Sequence, residues 1–276
     1  MSIYKYPVRD INEVMSITEH ALLSASSSSR WLNCTVSARL EEAIEKRNPS
    51  KPSVYAQEGT IAHTHLEYLL RQYFDLPDKT PNIPKDMKKH LVEVLNYIAV
   101  IVANERKWEI FFERKLPYDD FVPEGFGTVD ITILTPNKII VIDFKYGKGV
   151  RVVAKNNTQS RLYALAIYQK YKDTHDFKTI EIHIAQPRVK NGYTSETLTI
   201  AELLRWGEMV KEKAILAWNG EGKYVKGKHC MFCKAKKECP LYQSGAKKQP
   251  KQLEDGNLDV DESVDELDEF IKGLLG

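Results

Sequence analysis

Between Gly127 and Lys145 the chain reads GTVDITILTPNKIIVIDFK: two apolar, β-branched runs around a turn, each carrying one acid where a buried strand should be apolar. The intervening Thr135-Pro136-Asn137-Lys138 has the Pro and Asn that tight turns favour, so the segment predicts a β-hairpin. If Thr135 faces Lys138, the numbers of facing residues sum to 273, and Asp130 stands across from Asp143. Lys145 then shares a face with Asp143 and lies diagonal to Asp130. Directly opposed like charges destabilise a strand pair, and a divalent cation would offset the repulsion. Mg²⁺ is typically held by one or two carboxylates together with water and phosphate oxygens. The alternative is an edge hairpin whose acids meet solvent or Lys145.

Upstream, Glu58 to Glu67 (EGTIAHTHLE) opens an amphipathic helix with Ile61, Leu66, Leu69 and Leu70 on its apolar side. Taken in order, Gly-Thr-x-x-His-x-x-x-Glu (Gly59 to Glu67), Gly-x-Val-Asp (Gly127 to Asp130), Asp-x-Lys (Asp143 to Lys145) and Gln-x-x-x-Tyr (Gln159 to Tyr163) form one ordered motif set. That set resembles the RecB/AddB-like branch of the PD-(D/E)XK nucleases.

The resemblance implies a role for each matching position. His63, Asp130, Asp143 and the backbone carbonyl of Phe144 would hold Mg²⁺ or Mn²⁺. Lys145 would serve the attacking water, and Glu67 would support the site or a second metal. Gln159 and Tyr163, one helical turn apart, would face the groove and position the nucleic-acid strand. Asp143 stands where the family often has Glu. His65 competes with His63 for the ligand role, and a lone histidine at a helix start is ordinarily a surface or capping residue.

The four cysteines give an independent signal. Three lie in Cys230-Met-Phe-Cys233-Lys-Ala-Lys-Lys-Glu-Cys239-Pro240, and Cys34 lies far upstream. This spacing rejects a disulfide framework. Cys-x₂-Cys is metal-ligand spacing, and four thiolates suit tetrahedral Zn²⁺ or an iron–sulfur cluster. The N-terminus has no apolar signal core and no run reaches membrane-spanning length, so a cytoplasmic protein without a membrane partner is expected. An upstream Cys plus a late Cys-x₂-Cys-x₅-Cys-Pro, bracketing the nuclease motifs, resembles the iron–sulfur subgroup of the same branch. By that resemblance, Cys34, Cys230, Cys233 and Cys239 would hold a structural [4Fe–4S] cluster joining the two ends of the chain.

The net charge of +2 conceals an asymmetry. From Leu253 onward there are nine acids and one base, which leaves a body with 39 basic and 29 acidic residues, net +10. A basic body suits a polyanion. Lys148 and Arg151 after the second strand, and Arg161 inside the Gln-x-x-x-Tyr helix, could contact phosphates without reading sequence, while Tyr146 and Tyr163 could stack on unpaired bases. Ordinary solvated charge is the alternative for most other lysines. Gly-Lys-Gly at 147–149 lacks the frame of a nucleotide phosphate loop, which leaves no motor motif.

Periodicity predicts a helix from Arg30-Trp31 delivering Cys34, helices over 56–74 and 86–106, strands over 109–116, 126–134 and 138–145, a helix over 157–172, a strand over 179–185 and a long helix over 201–218. The expected architecture is α/β: a restriction-endonuclease-like core with a central mixed sheet flanked by helices and a cysteine knuckle. Residues 1–243 would form this domain, 244–256 a polar linker, and 257–276 an acidic amphipathic tail docking on a replication or recombination protein. The expected activity is metal-dependent DNA hydrolysis, as an exonuclease leaving 5′-phosphates in phage-type replication or recombination. The rival is a non-catalytic DNA-binding module that recruits a processing complex.

Overall fold

The structure, a computed structural model, describes residues 4–76 and 82–243; the expected linker and acidic tail lie outside the described residues. Five strands form one sheet in the order β1-β2-β3-β4-β5: Glu109–Pro117, Phe126–Leu134, Lys138–Phe144, Thr179–Ala185 and Tyr193–Thr199. All neighbours are antiparallel except β3 and β4, which run parallel. A parallel pair needs a crossover, and α6 (Thr158–Tyr171) supplies it.

The Val/Ile alternation of the strands sends side chains into two separate cores. Val129, Ile139, Val141, Ile180, Ile182 and Ile184 pack beneath α6, α7 (Ile200–Asn219) and α2 (Ser28–Asn33). Ile131, Ile133, Ile140, Ile142 and Phe144 pack against α4 (Val54–Tyr73) and α5 (Lys85–Ala103). Leu91, Val94 and Ile98 follow one another at helical spacing on α5 and are fully buried. Each such side chain contributes about 1.5–3 kcal/mol of burial, so the helical stripe is anchored independently of any ligand.

Local signals set the helix starts that matter for the site. Ser53 caps α4 by accepting from the Ala56 amide, and Asn157 caps α6 by accepting from the Ser160 amide, which fixes where Gln159 emerges. Thr199 and Glu202 form a reciprocal capping box on α7. Two further helices, α1 (Ile11–Ile17) and α3 (Ser37–Arg47), complete the α2 side, and a short α8 (Pro240–Gln243) follows the cysteines.

The β2–β3 hairpin closes as its turn residues require. The Thr135 amide donates to the Lys138 carbonyl at 3.0 Å, and pairs from Leu134 with Ile139 to Ile131 with Ile142 keep the register in which facing residue numbers sum to 273. Strand β5 (YTSETLT) is not anticipated by hydrophobic periodicity. It is a polar outer strand of the sheet, in which half-buried and exposed residues alternate from Thr194 onward, and it continues without a break into α7.

Candidate metal centre

The β2–β3 ladder is paired as far as Ile131 and Ile142. Beyond that point the Phe144 amide donates to Asp130 Oδ2 at 2.8 Å, while the Lys145 amide donates to the Ala185 carbonyl of β4 at 3.0 Å. The strands thus part where the two acids sit, and the Asp130 carboxylate fills the gap.

The other Asp130 oxygen, Oδ1, lies 3.5 Å from His63 Nδ1, which α4 delivers from above the second core. The same imidazole nitrogen is 3.3 Å from Glu113 Oε1 on β1. Ligand atoms of His63, Glu113 and Asp130 all lie within 4.8 Å of one another, and this is the one such trio of His, Cys, Asp or Glu among the described residues. Burial disfavours charge on His63, but the Asp130 and Glu113 carboxylates outweigh it and raise the imidazole to about 10. Asp130 is correspondingly held below the usual carboxylate range, against the cost of its burial, by His63, Lys145 and the Phe144 amide.

Glu113 is absent from the set expected from sequence. Flanking pairs Phe112–Ile131 and Arg114–Val129 put it opposite Asp130. Its φ of +45° takes it into the left-handed region, uncommon for a non-glycine residue, and off the regular pleat. An acid directly after the apolar run Ile110-Phe111-Phe112 was the available signal. The eight-residue connection 118–125 gives no tight-turn register from which its partner could be read.

Asp143 lies outside the close trio. It is almost fully buried on the α6 side of the sheet, with Lys145 Nζ 3.0 Å from Oδ1 and 2.9 Å from Oδ2. Only the first contact has hydrogen-bond geometry, so Oδ2 is buried without a bonded partner. Burial, and then repulsion from Asp130, lift the Asp143 carboxyl above its ordinary value despite the adjacent lysine. Lys145 keeps its proton, because the two carboxylates outweigh its own burial. Gln159 Oε1 accepts from Lys145 at 3.1 Å, and its Nε2 donates to Asp143 Oδ1 at 3.2 Å and to the Tyr163 hydroxyl at 3.1 Å. Asp130 thus links two groups, the His63–Glu113 pair on one side and the Asp143–Lys145–Gln159 chain on the other.

The remaining expected residues divide. Glu67 lines the same small cleft as His63, Glu113 and Asp130, and Arg71 binds its Oε1 at 2.8 and 2.9 Å. His63, and not His65, is a member of the close trio. Tyr163 is buried rather than open to a groove, with its ring against Gly127, where a Cβ would meet Cε1 at 2.8 Å. Tyr146 is likewise buried, with the Arg188 guanidinium 4.4 Å above its ring. Neither ring offers an exposed stacking face in this arrangement. Arg161 is engaged with Glu196 and Asn156 at 2.8 and 2.7 Å and is only 12% exposed, so its charge is already paired within the fold. Lys148 is exposed, and Arg151 Nε donates to the Asn191 carbonyl at 3.2 Å.

All four cysteines are free thiols. Cys34 ends α2 and is buried, and α2 packs against the 3₁₀ turn Lys228–Phe232 that carries Cys230. Burial first, and then the neighbouring Cys230 and Cys239 sulfurs, push the Cys34 thiol up. Burial, followed by Glu41, pushes Cys233 up to about 11. The element carrying Cys34 thus packs against the turn carrying Cys230.

Fold and donor set together describe an α/β protein with a mixed five-stranded sheet, helices on both faces, and a His–Glu–Asp trio beside a buried Asp–Lys pair at one end of that sheet. The chain belongs to the DUF2800 family, described as "Protein of unknown function", whose model matches residues 20–273. Among solved structures it is similar to the crystal structure of SSO0001, at 13% identity over 83% of this chain and 92% of that one, with a TM-score of 0.42. It is also similar to a crystal structure described as a "Putative exonuclease" from Eubacterium rectale, at 13% identity over 89% and 96% of the two chains, with a TM-score of 0.45. Among the described residues no helix is long and apolar enough to cross a membrane.

Proposed function

We propose that this chain is a metal-dependent DNA nuclease with a RecB/AddB-like PD-(D/E)XK core, acting as an exonuclease that leaves 5′-phosphates. The observation that carries the reading is the meeting of His63, Glu113 and Asp130 with the Asp143–Lys145–Gln159 chain across a single parted strand pair. Placement in phage-type DNA replication or recombination rests on the motif resemblance.

The residues fit a divalent cation. His63, Glu113 and Asp130 already place three ligand atoms together, and Asp143 Oδ2 is a buried acceptor without a bonded partner. These four, with the Phe144 carbonyl, would hold Mg²⁺ or Mn²⁺. When bound, the ion supplies a Lewis acid for a phosphoryl oxygen and a more acidic water.

The chain's own groups do the rest. His63 must shed its proton to ligate, so Asp130 and Glu113, which now hold that proton in place, become free to face the ion. Lys145, held against Asp143, would serve the attacking water and neutralise charge developing on the phosphate. Gln159 fixes the Lys145 ammonium and the Asp143 carboxylate relative to one another, and Tyr163 holds Gln159. Lys148 and Arg151 would take backbone phosphates beyond the scissile one.

Cys34, Cys230, Cys233 and Cys239 would carry a [4Fe–4S] cluster, with Zn²⁺ as the alternative. A tetrahedral Zn²⁺ with bonds of about 2.3 Å needs its sulfurs within about 4 Å of one another. Among the described residues no three of these sulfurs lie within 4.8 Å of one another, and the preference for the cluster rests on the motif resemblance. Its role would be structural.

The test is cleavage of end-labelled single- and double-stranded DNA with Mn²⁺ or Mg²⁺, run in parallel on RNA. Cleavage of DNA by the intact protein and none by Asp130→Asn is the expected result. Binding without cleavage under any condition would overturn it in favour of a non-catalytic DNA-binding module.

A further inference from the structure

From Tyr146 to Asn157, between the catalytic strand and α6, the chain has no helix or strand of its own. Its backbone polar groups still need partners. They find them on β4, β5 and the turn that joins them. The Ala154 amide donates to Thr194 Oγ1 at 2.9 Å, and the Asn156 amide donates to both Glu196 oxygens at 3.1 Å. Arg188 Nη1 donates to the Tyr146 carbonyl at 3.3 Å.

The centre of this arrangement is Gln186, the residue directly after β4, only 1% exposed. Its Nε2 donates to the Gly147 carbonyl at 2.9 Å and the Val150 carbonyl at 2.8 Å, and its Oε1 accepts from the Val152 amide at 2.9 Å. A side-chain amide has two N–H donors and one carbonyl acceptor, and here all are engaged by one loop. Gln186 is itself fixed, because its own amide donates to the Gly192 carbonyl at 3.0 Å. A Cβ on Gly192 would come within 2.0 Å of the Gln186 carbonyl oxygen, so the close approach requires glycine there.

Bonding to residues 147, 150 and 152 at once leaves the intervening tip, Gly147-Lys148-Gly149, exposed, and a Cβ on either glycine would meet nothing within 4 Å. The tip begins two residues after Lys145. We infer that Gln186 is a positioning residue: it bends residues 147–152 into an arch that holds Lys148 beside the Asp143–Lys145 pair, where Lys148 takes a backbone phosphate of a bound nucleic-acid strand. This rests on the nuclease reading, and it assigns to an uncharged, buried side chain on another strand the placement of a substrate contact.

The experiment measures affinity of the full chain for a fluorescent single-stranded oligonucleotide in Ca²⁺, across a salt series, for wild type, Lys148→Ala, Gln186→Ala, Gln186→Glu and the Lys148→Ala/Gln186→Ala double variant. Lys148→Ala should weaken binding several-fold and reduce the salt slope by about one. Gln186→Ala should reproduce both changes. Gln186→Glu, which keeps the acceptor for Val152 but sets a buried carboxyl oxygen against the Gly147 and Val150 carbonyls, should do the same with a larger drop in melting temperature. The double variant should bind no more weakly than Gln186→Ala alone, because residues acting through one another are not additive. With Mn²⁺, the loss should appear in KM for the oligonucleotide rather than in kcat. Additive losses, an unchanged salt slope in the Gln186 variants, or an effect confined to kcat would overturn the inference, as would wild type that binds no strand. A wild type that binds with this pattern but cleaves nothing leaves the inference standing and removes the nuclease reading instead.

Discussion

Glu113 faces Asp130 across the β1–β2 pair, and it does so with a φ of +45°, a backbone conformation that a non-glycine side chain adopts at a cost. Left-handed backbone at such a residue costs about 1–2 kcal/mol and persists where surrounding structure over-determines it, commonly at functional sites. Here the strained turn of backbone brings Glu113 Oε1 to His63 Nδ1.

Substitutions at this position should separate strain from chemistry. Glu113→Gly relieves the backbone and should unfold at higher denaturant than Glu113→Ala, by about 1 kcal/mol. Both, and Glu113→Gln, should lose Mn²⁺ affinity by at least about tenfold when titrated calorimetrically, because a ligand carboxylate is gone. Equal Mn²⁺ binding by Glu113→Gln and wild type would remove Glu113 from the metal set.

Much of this architecture was legible because the β2–β3 turn is short. A two-residue turn between Thr135 and Lys138 fixes the register as far as Ile131 and Ile142, and so sets both acids at the point where the strands part. Gly127 and Tyr163, from two different motifs, prove to be one contact: the ring occupies the space a Cβ would need. What escaped reading from the chain depended on longer connections. Glu113 is brought in by a strand whose register no tight turn specifies, and β5 is polar because it is an outer strand. Arg161 looked like a phosphate contact for want of any sign that Glu196 would neutralise it. Gln186 gave no signal at all, since nothing in an isolated glutamine shows that its amide will be buried against a loop.

Asp130 has two duties that can be parted. Its Oδ2 accepts from the Phe144 amide, and an asparagine carbonyl can do the same. Asp130→Asn should therefore lower cleavage by at least about 10²-fold, losing the ion pair with His63 but keeping the Phe144 amide bonded. Asp130→Ala should in addition lose about 1–3 kcal/mol in denaturant unfolding, for leaving that amide without a partner. Equal stability of the two variants would show that the carboxylate does not hold the strand.

The pH dependence of metal binding follows from His63. Its imidazole is raised from near 6.5 to about 10 in the metal-free protein, so the ion-pair stabilisation it provides is complete below pH 6.5 and is lost as pH rises toward 10. Asp143, also raised, costs stability once it ionises above its ordinary range. Both groups must give up their protons to bind a cation. The rise in melting temperature on adding Mn²⁺ should therefore be larger at pH 8.5 than at pH 6, and His63→Ala should flatten the decline in metal-free stability between those values. A Mn²⁺ effect that shrinks with rising pH would contradict the assigned ligands.

Cys34 reports on the proposed cluster independently of catalysis. It is buried at the end of α2, while its three counterparts lie beyond α7, so a metal group shared among them closes a loop spanning nearly the whole described chain. Borrowing the disulfide loop-closure relation, such a crosslink stabilises by about 4–5 kcal/mol, by restricting the unfolded chain. Cys34→Ser should therefore lower the denaturation midpoint of protein purified without oxygen, which should contain iron and sulfide. The same substitution should change the chelator-stripped protein far less, because a serine hydroxyl is nearly isosteric with the thiol and the stripped chain has no crosslink to lose. An equal loss in loaded and stripped protein would mean that Cys34 acts through packing alone, and the staple between the chain's two ends would have to be abandoned.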